Sequence, residues 1–277
     1  MDTVKFDWKI SLRHPFRIHY STHLSGVSEG VTDIHSSIHI GLLIKGDTTG
    51  SHNGEILTVN EGGIYLTAPW EPHRTLSSEK GNNLLLITAE TGILNQLLPG
   101  CGEKLDMLCR IAPRRRQEIL DQAEIPEFYS RTVIRLLAEP ESSSRELKLY
   151  HAAMGIVLAV ATLEFSAEVD LDYQRLLPAL EKLGRKPVSV LEAAVSCNLS
   201  ESHFAHLFCR VFKMSFARYE RLYRLRGAVS ELQYQYTGLK EAAAEWGFYD
   251  KNHFAKTCIK YFGFSPALYR KKRSADQ

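Results

Sequence analysis

The chain has 277 residues, 44% hydrophobic and 24% charged, with a formal net charge of +2, long enough for two domains. No apolar run reaches membrane-spanning length, and the opening MDTVKFDWKI is mixed and charged, unlike a signal peptide. The five cysteines (101, 109, 197, 209 and 258) are odd in number, scattered and without zinc-finger spacing, which suits reduced thiols in a cytoplasmic protein better than a disulfide framework.

Residues 1–112 read as β structure. Short apolar segments at 37–44, 55–59, 63–68 and 83–88 are separated by Gly46-Asp47, Asn53-Gly54 and Glu61-Gly62-Gly63. Asn-Gly is a strong hairpin signal, and many short strands at regular spacing predict a small barrel or sandwich. Residues 113–183 read as a helical middle, with helices at 113–123, 126–137 and 144–165 and a polar loop at 139–144. The third helix carries Leu147, Tyr150, Met154, Val157, Leu158, Ala161 and Phe165 as an apolar stripe. That stripe would pack on the barrel or on the same helix of a second subunit. Gly184-Arg185-Lys186-Pro187 marks the entry to the last segment, 184–273.

That segment contains one unit twice. Laying Glu192 on Glu241, with one extra residue before Lys251, aligns Ala193/Ala242, His203/His253, Phe204/Phe254, Phe212/Phe262, Ser215/Ser265 and Tyr219/Tyr269. Each copy reads as a short Ala-rich helix, a tight turn and a second helix. Asn198 and Gly247 supply the positive φ of the turn, and Ser200 and Asp250 stand as N-caps of the second helix. Phe204, Leu207, Phe208 and Val211 form its apolar stripe, answered by Phe254, Thr257, Cys258 and Tyr261. A long helix over 217–234 would space two reading heads for DNA. Charge agrees: residues 184–277 carry a surplus of +8, against −6 over 1–183. The basic run Arg270-Lys271-Lys272-Arg273 closes the segment. His203 and His253, beside the stripe, read as partly buried structural residues.

Residues 185–272 resemble the DNA-binding domain of AraC/XylS-family transcription regulators. The second copy carries the pattern as Ala242-Ala243, Gly247-Phe248, Phe254, Lys260, Phe262-Gly263, Ser265-Pro266 and Tyr269-Arg270, with departures at Cys258 and Ile259. The resemblance implies base-facing positions at Ser202, Ala205 and His206 in the first copy and at Lys251, Asn252, Ala255 and Lys256 in the second. Arg210, Lys260 and Arg270 join them as candidate DNA contacts. Asn252 suits a two-point contact to adenine and Lys256 a guanine edge or phosphate.

Residues 33–47 and 60–73 resemble the two halves of a cupin-like effector domain. The implied fold is α+β: a cupin-like barrel, a helical linker or dimerisation region, and an all-α domain with two helix-turn-helix units. The same resemblance places Asp33, His35, His39 and His73 at the positions where metal cupins bind a divalent metal. The even spacing of the first three would put them on one face of a strand. The alternative is an effector site of His35, His39 and His73, with Trp70 and Glu71 at the barrel mouth. The implied protein is a cytoplasmic, homodimeric regulator that binds double-stranded DNA and a small-molecule effector, and touches RNA polymerase, without enzyme chemistry. One rival is a metal-dependent cupin enzyme with a DNA-binding module, against which stands the missing Glu at position 39. The other is a DNA-repair alkyl acceptor, for which Cys101 and Cys109 lack a supporting cluster of cysteines.

Overall fold

A computed structural model describes residues 10–27, 31–166, 171–234 and 238–267. Its N-terminal half is an antiparallel sheet curled around β3 (Ile38–His52). The first part of β3 pairs with β5 (Ile64–Thr67) and β7 (Asn82–Ala89), and the second part with β4 (Glu55–Asn60) and β6 (His73–Ser78). Register shifts between Leu43 and Lys45 and between Thr49 and Gly50 let one strand serve both sheets. At Gly46, φ is +79°, and a Cβ there would collide with the Gly81 carbonyl. The β3–β4 hairpin turns at Asn53 (φ 48°) and Gly54 (φ 84°), where positive φ at both central residues is what an Asn-Gly hairpin requires.

Three strands lie outside the predicted set: β1 (Arg17–His23), which pairs with β7, β2 (Gly26–Val27), and β6. The helical part also begins earlier than predicted, with α1 (Thr91–Leu97) and α2 (Cys101–Cys109). Then come α3 (Pro113–Leu120), α4 (Glu127–Leu137) and α5 (Ser143–Ala161). The predicted stripe of α5 is rotated from the buried one. Leu147 is 70% exposed, while Leu149, Ala152, Ala153, Ile156, Val157, Val160 and Ala161 are buried. The helix is apolar around much of its circumference, so large residues do not identify the inner face. Small ones do: Gly155 lies directly under the Tyr129 ring of α4.

Two cores result. Ile38, Ile40, Leu66, Leu85 and Ile87 of the sheet share one with Leu94, Leu105, Leu108 and the inner face of α5. The second is built from α6 (Leu171–Glu181), α7 (Val190–Ser196), α8 (Glu201–Phe212), α9 (Phe216–Tyr234), α10 (Leu239–Glu245) and α11 (Lys251–Phe262). The stretch 113–183 is therefore divided: α3–α5 join the barrel, whereas Leu176, Ala179 and Leu180 of α6 join the C-terminal helices. Ile34 of the N-terminal half is fully buried in this second core.

Candidate functional site

The two C-terminal copies are built alike down to single hydrogen bonds. After α7, Asn198 takes φ 54° and the Leu199 amide donates back to the Ala194 carbonyl at 3.0 Å. After α10, Gly247 takes φ 67° and the Phe248 amide donates to the Ala243 carbonyl at 2.8 Å. A left-handed residue closing the helix end is the usual way to satisfy its last carbonyls. Ser200 and Asp250 then accept from the amides of His203 and His253, capping α8 and α11. A capping box between Ser189 and Glu192 starts α7.

Both second helices bury one side and expose the other. Phe204, Leu207, Phe208 and Val211 are buried on α8, and Phe254, Thr257 and Cys258 on α11. Ser202, His206 and Arg210 are exposed, as are Lys251, Asn252, Lys256 and Lys260, with Ala205 and Ala255 half-buried between them. His203 and His253 are also exposed, contrary to the partly buried reading. His253 still has a structural task, because its Nδ1 accepts from the Tyr249 amide at 3.3 Å. Arg270 and the basic run lie outside the described residues. Arg210 is ion-paired with Asp172 of α6, so the candidate DNA contact it offers is already engaged within the chain.

α9 joins the copies and is also the seat of the N-terminal half. Arg224 of α9 pairs with Glu220 and donates to the Trp246 carbonyl at 2.7 Å, fixing α10. On its other side Tyr219 donates its hydroxyl to the Trp70 carbonyl at 2.6 Å, and the Trp70 ring lies 5.9 Å from that of Tyr223. Trp70, itself at φ 61°, thus packs on the DNA-binding half instead of standing at a barrel mouth. Glu71 points the other way, into a buried network with His52 at 3.0 Å and Arg116. Burial pushes its carboxyl up, but Arg116 and His52 outweigh that and hold it at about 2. A pocket of about 50 Å³ opens beside Glu71, Arg116, Tyr173 and Phe212.

The four positions picked out as candidate metal ligands separate into three and one. His35, His39 and His73 converge, with ring centroids 4.2, 4.9 and 5.6 Å apart. Even spacing along one strand is not what brings them together, because β3 begins at Ile38 and a bend at 36–37 turns His35 inward. Asp33 stays out of the cluster. Its carboxylate accepts from the Ile34 amide and pairs with Arg226 of α9 at 3.1 Å. Its backbone is bridged to His73 by two hydrogen bonds, of 2.7 and 3.0 Å. Burial raises the Asp33 carboxyl, and Arg226 more than reverses that, keeping it far below the usual carboxylate range. Burial and the neighbouring His73 push His35 down to about 3, and burial lowers His39 and His73 as well, so all three imidazoles are neutral at pH 7.

Sequence reasoning missed Arg226, Asn53 and Tyr219 as residues that connect the halves, and Asp172 as the partner of Arg210. Asn53 donates to the Val211 carbonyl at 2.5 Å, tying the β3–β4 hairpin to the end of α8. The Asn-Gly pair signals a hairpin; nothing local to it signals this docking.

A family model described as a helix-turn-helix domain matches residues 193–272. No protein of curated function matches the sequence. Among solved structures, ToxT from Vibrio cholerae has the same fold at TM-score 0.58 and 12% identity, covering 92% of this chain and 98% of that one. ToxT bound to (E)-4-(8-methylnaphthalen-1-yl)but-3-enoic acid matches at TM-score 0.58 and 14% identity over the same shares. Unsaturated fatty acid-bound ToxT matches at TM-score 0.54 and 11% identity, covering 92% and 95%. No described helix is long and apolar enough to cross a membrane. Residues 193–272 are thus a helix-turn-helix domain, two capped units on one connecting helix, set in the fold that ToxT also has.

Proposed function

We propose that α8 and α11 enter two successive major-groove segments of one DNA site and that the N-terminal domain takes up a small-molecule effector which adjusts how they are presented. The observation that carries this reading is the pair of identical turn closures holding two exposed polar helix faces on α9. Ser202, Ala205 and His206 would read one segment, and Lys251, Asn252, Ala255 and Lys256 the other, with Lys260 on phosphate. An effector fits because ToxT, of the same fold, is known with such a molecule bound, and because the barrel grips α9 through Asp33 and Trp70. The coupling is a difference in effector affinity between two placements of that grip. No residue needs to form a covalent intermediate, and the rival enzyme reading asks for turnover. Self-association fits the exposed Leu147 and Phe128 of α5 and α4. Contact with RNA polymerase and a cytoplasmic location belong to the same reading.

The test is selection from random duplexes by the full chain at physiological salt. A bipartite sequence should be enriched, and its affinity should fall steeply with salt as phosphate contacts release counterions. Recovery of random sequence alone sinks the proposal.

A further inference from the structure

We propose that Ile259 selects thymine by contact with its C5 methyl group in the major groove, an inference that rests on the reading of α11 as a groove-docking helix and names the base feature one of its side chains recognises.

Ile259 sits at the centre of the exposed face of α11. Residues 201–210 of α8 and 251–260 of α11 run through exposed, half-buried and buried positions in the same order. Ile259 is 54% exposed, although isoleucine is a side chain that helices usually bury. Seven residues make two helical turns to within about 20°, so Ile259 lies almost in line with Asn252 along the helix. Its neighbours three and four residues back are Lys256 and Ala255. The middle of the face is thus Asn252, Ala255, Lys256 and Ile259. A single exposed apolar residue is ordinary on a protein surface; this one stands among the side chains that are placed to meet base edges.

Its surroundings repeat between the copies. Ala255 and Ile259, four residues apart, make an apolar strip along α11, and Ala205 with the exposed Cys209 makes the same strip along α8. A free thiol behaves as a small hydrophobe, so both helices keep this position apolar, while the residue after it is a cation, Arg210 or Lys260. The Lys260 ammonium is drawn to one side, 5.5 Å from the centroid of the Tyr261 ring. Ile259 is also one of the two positions at which the second copy departs from the AraC/XylS pattern, so its contact belongs to this chain and is not a property of the family.

The chemistry of the side chain then narrows what it can read. Isoleucine has no donor or acceptor, so it neither holds a phosphate nor selects a polar base edge. The major groove presents one apolar feature, the C5 methyl of thymine. Contact there removes apolar surface of both partners from water. Four residues of helix rise by about 6 Å and successive bases by about 3.4 Å, so the thymine under Ile259 lies about two base steps from the base under Ala255.

The test uses the full chain and the duplex it selects from random sequence, with each thymine replaced in turn by uracil. That exchange removes the methyl group and leaves every hydrogen-bonding group of the base in place. At one thymine the uracil duplex should bind the wild-type chain roughly fourfold more weakly, the value of one buried methyl group. Ile259→Ala should bind the parent duplex more weakly and should bind the uracil duplex equally well, so that the penalty at that thymine disappears. Lys260→Ala should lose affinity for both duplexes and keep the penalty. Because Ile259 is exposed, its variant should fold, and an unchanged thermal midpoint checks this. The proposal is overturned if no thymine shows a uracil penalty, if every penalty survives Ile259→Ala, or if Lys260→Ala removes the same penalty as fully. Selection of no sequence at all sinks the DNA reading and this inference together, whereas sequence-specific binding with no uracil penalty tied to Ile259 sinks this inference alone.

Discussion

The two helix-turn-helix copies share a turn geometry and differ in what holds them. The first is gripped by the N-terminal half through Asn53, which bonds the end of α8, and by α6, whose Asp172 pairs with Arg210 and whose Tyr173 ring lies 6.1 Å from that of Phe212. The second is held by its own half. Arg224 bonds the Trp246 carbonyl, and Arg185 pairs with Glu231 at 2.7 Å and with Glu245. Repetition in sequence therefore does not mean equivalence in regulation. Among the described residues, a change in the barrel reaches α8 directly through Asn53 and reaches α11 by way of α9.

The largest expected effect falls on the second copy. A Cβ at Gly247 would stand 2.7 Å from Pro187 Cδ and 3.3 Å from the Arg185 carbonyl, at a φ of +67°. Gly247→Val should cost about 1–3 kcal/mol in backbone strain alone, with the overlap on Pro187 added. The thermal midpoint should fall and specific DNA binding should be lost. Asn198 already carries a side chain at the matching turn of the first copy, so Asn198→Gly should leave the midpoint nearly unchanged. An unchanged midpoint for Gly247→Val would show that the second turn is not as tightly closed as its geometry states.

These turns also show what the sequence makes legible. Asn198, Gly247, Ser200 and Asp250 act within five residues of themselves, so local chemistry is enough to find them. Asp33 acts on Arg226, 193 residues away, and reads in sequence as a metal ligand. Strand β1 is exposed at alternate and consecutive positions alike, which hides its period, and neither α1 nor α2 has a side-chain cap to announce it. Trp70 looks like a mouth residue because its loop leads into His73; its partner Tyr219 is contributed by another domain.

The next prediction concerns the grip itself. Asp33 and Arg226 are each about one-fifth exposed, so their pairing is only partly screened. Asp33→Ala and Arg226→Ala should each destabilise the chain, and the double variant should cost less than their sum. A coupling of roughly 0.5–3 kcal/mol is expected for residues in direct contact. Denaturant titration of the four proteins measures it. Additive losses would mean that the two side chains contribute separately and that the halves are joined by packing alone.

On the DNA side, Asn252→Ala should cost about 1–3 kcal/mol on the selected sequence and little on random duplex, as expected for a two-point base contact. Lys256→Ala should behave alike if it reads guanine, and should weaken both classes of DNA equally if it meets phosphate. Equal losses for Asn252→Ala would remove that residue from the reading set and leave recognition by the second copy to its neighbours.

The smallest effect would sharpen the comparison most. Arg210 and Asp172 are 65% and 31% exposed, and a pair so open to solvent is worth about 0.2–1 kcal/mol to stability. Asp172→Ala should therefore hardly move the midpoint. Its effect on DNA has a definite sign. If the pair withholds Arg210 from the phosphate backbone, freeing it adds one cationic contact, so affinity rises on all sequences alike and the salt dependence steepens by about one phosphate. If Asp172 instead holds Arg210 in the posture that DNA needs, the same variant loses affinity. Only the first outcome fits α8 as the copy held in check by the rest of the chain. The second would make α6 a support for the reading helix, and would leave the Asn53 contact to Val211 as the barrel's direct hold on α8.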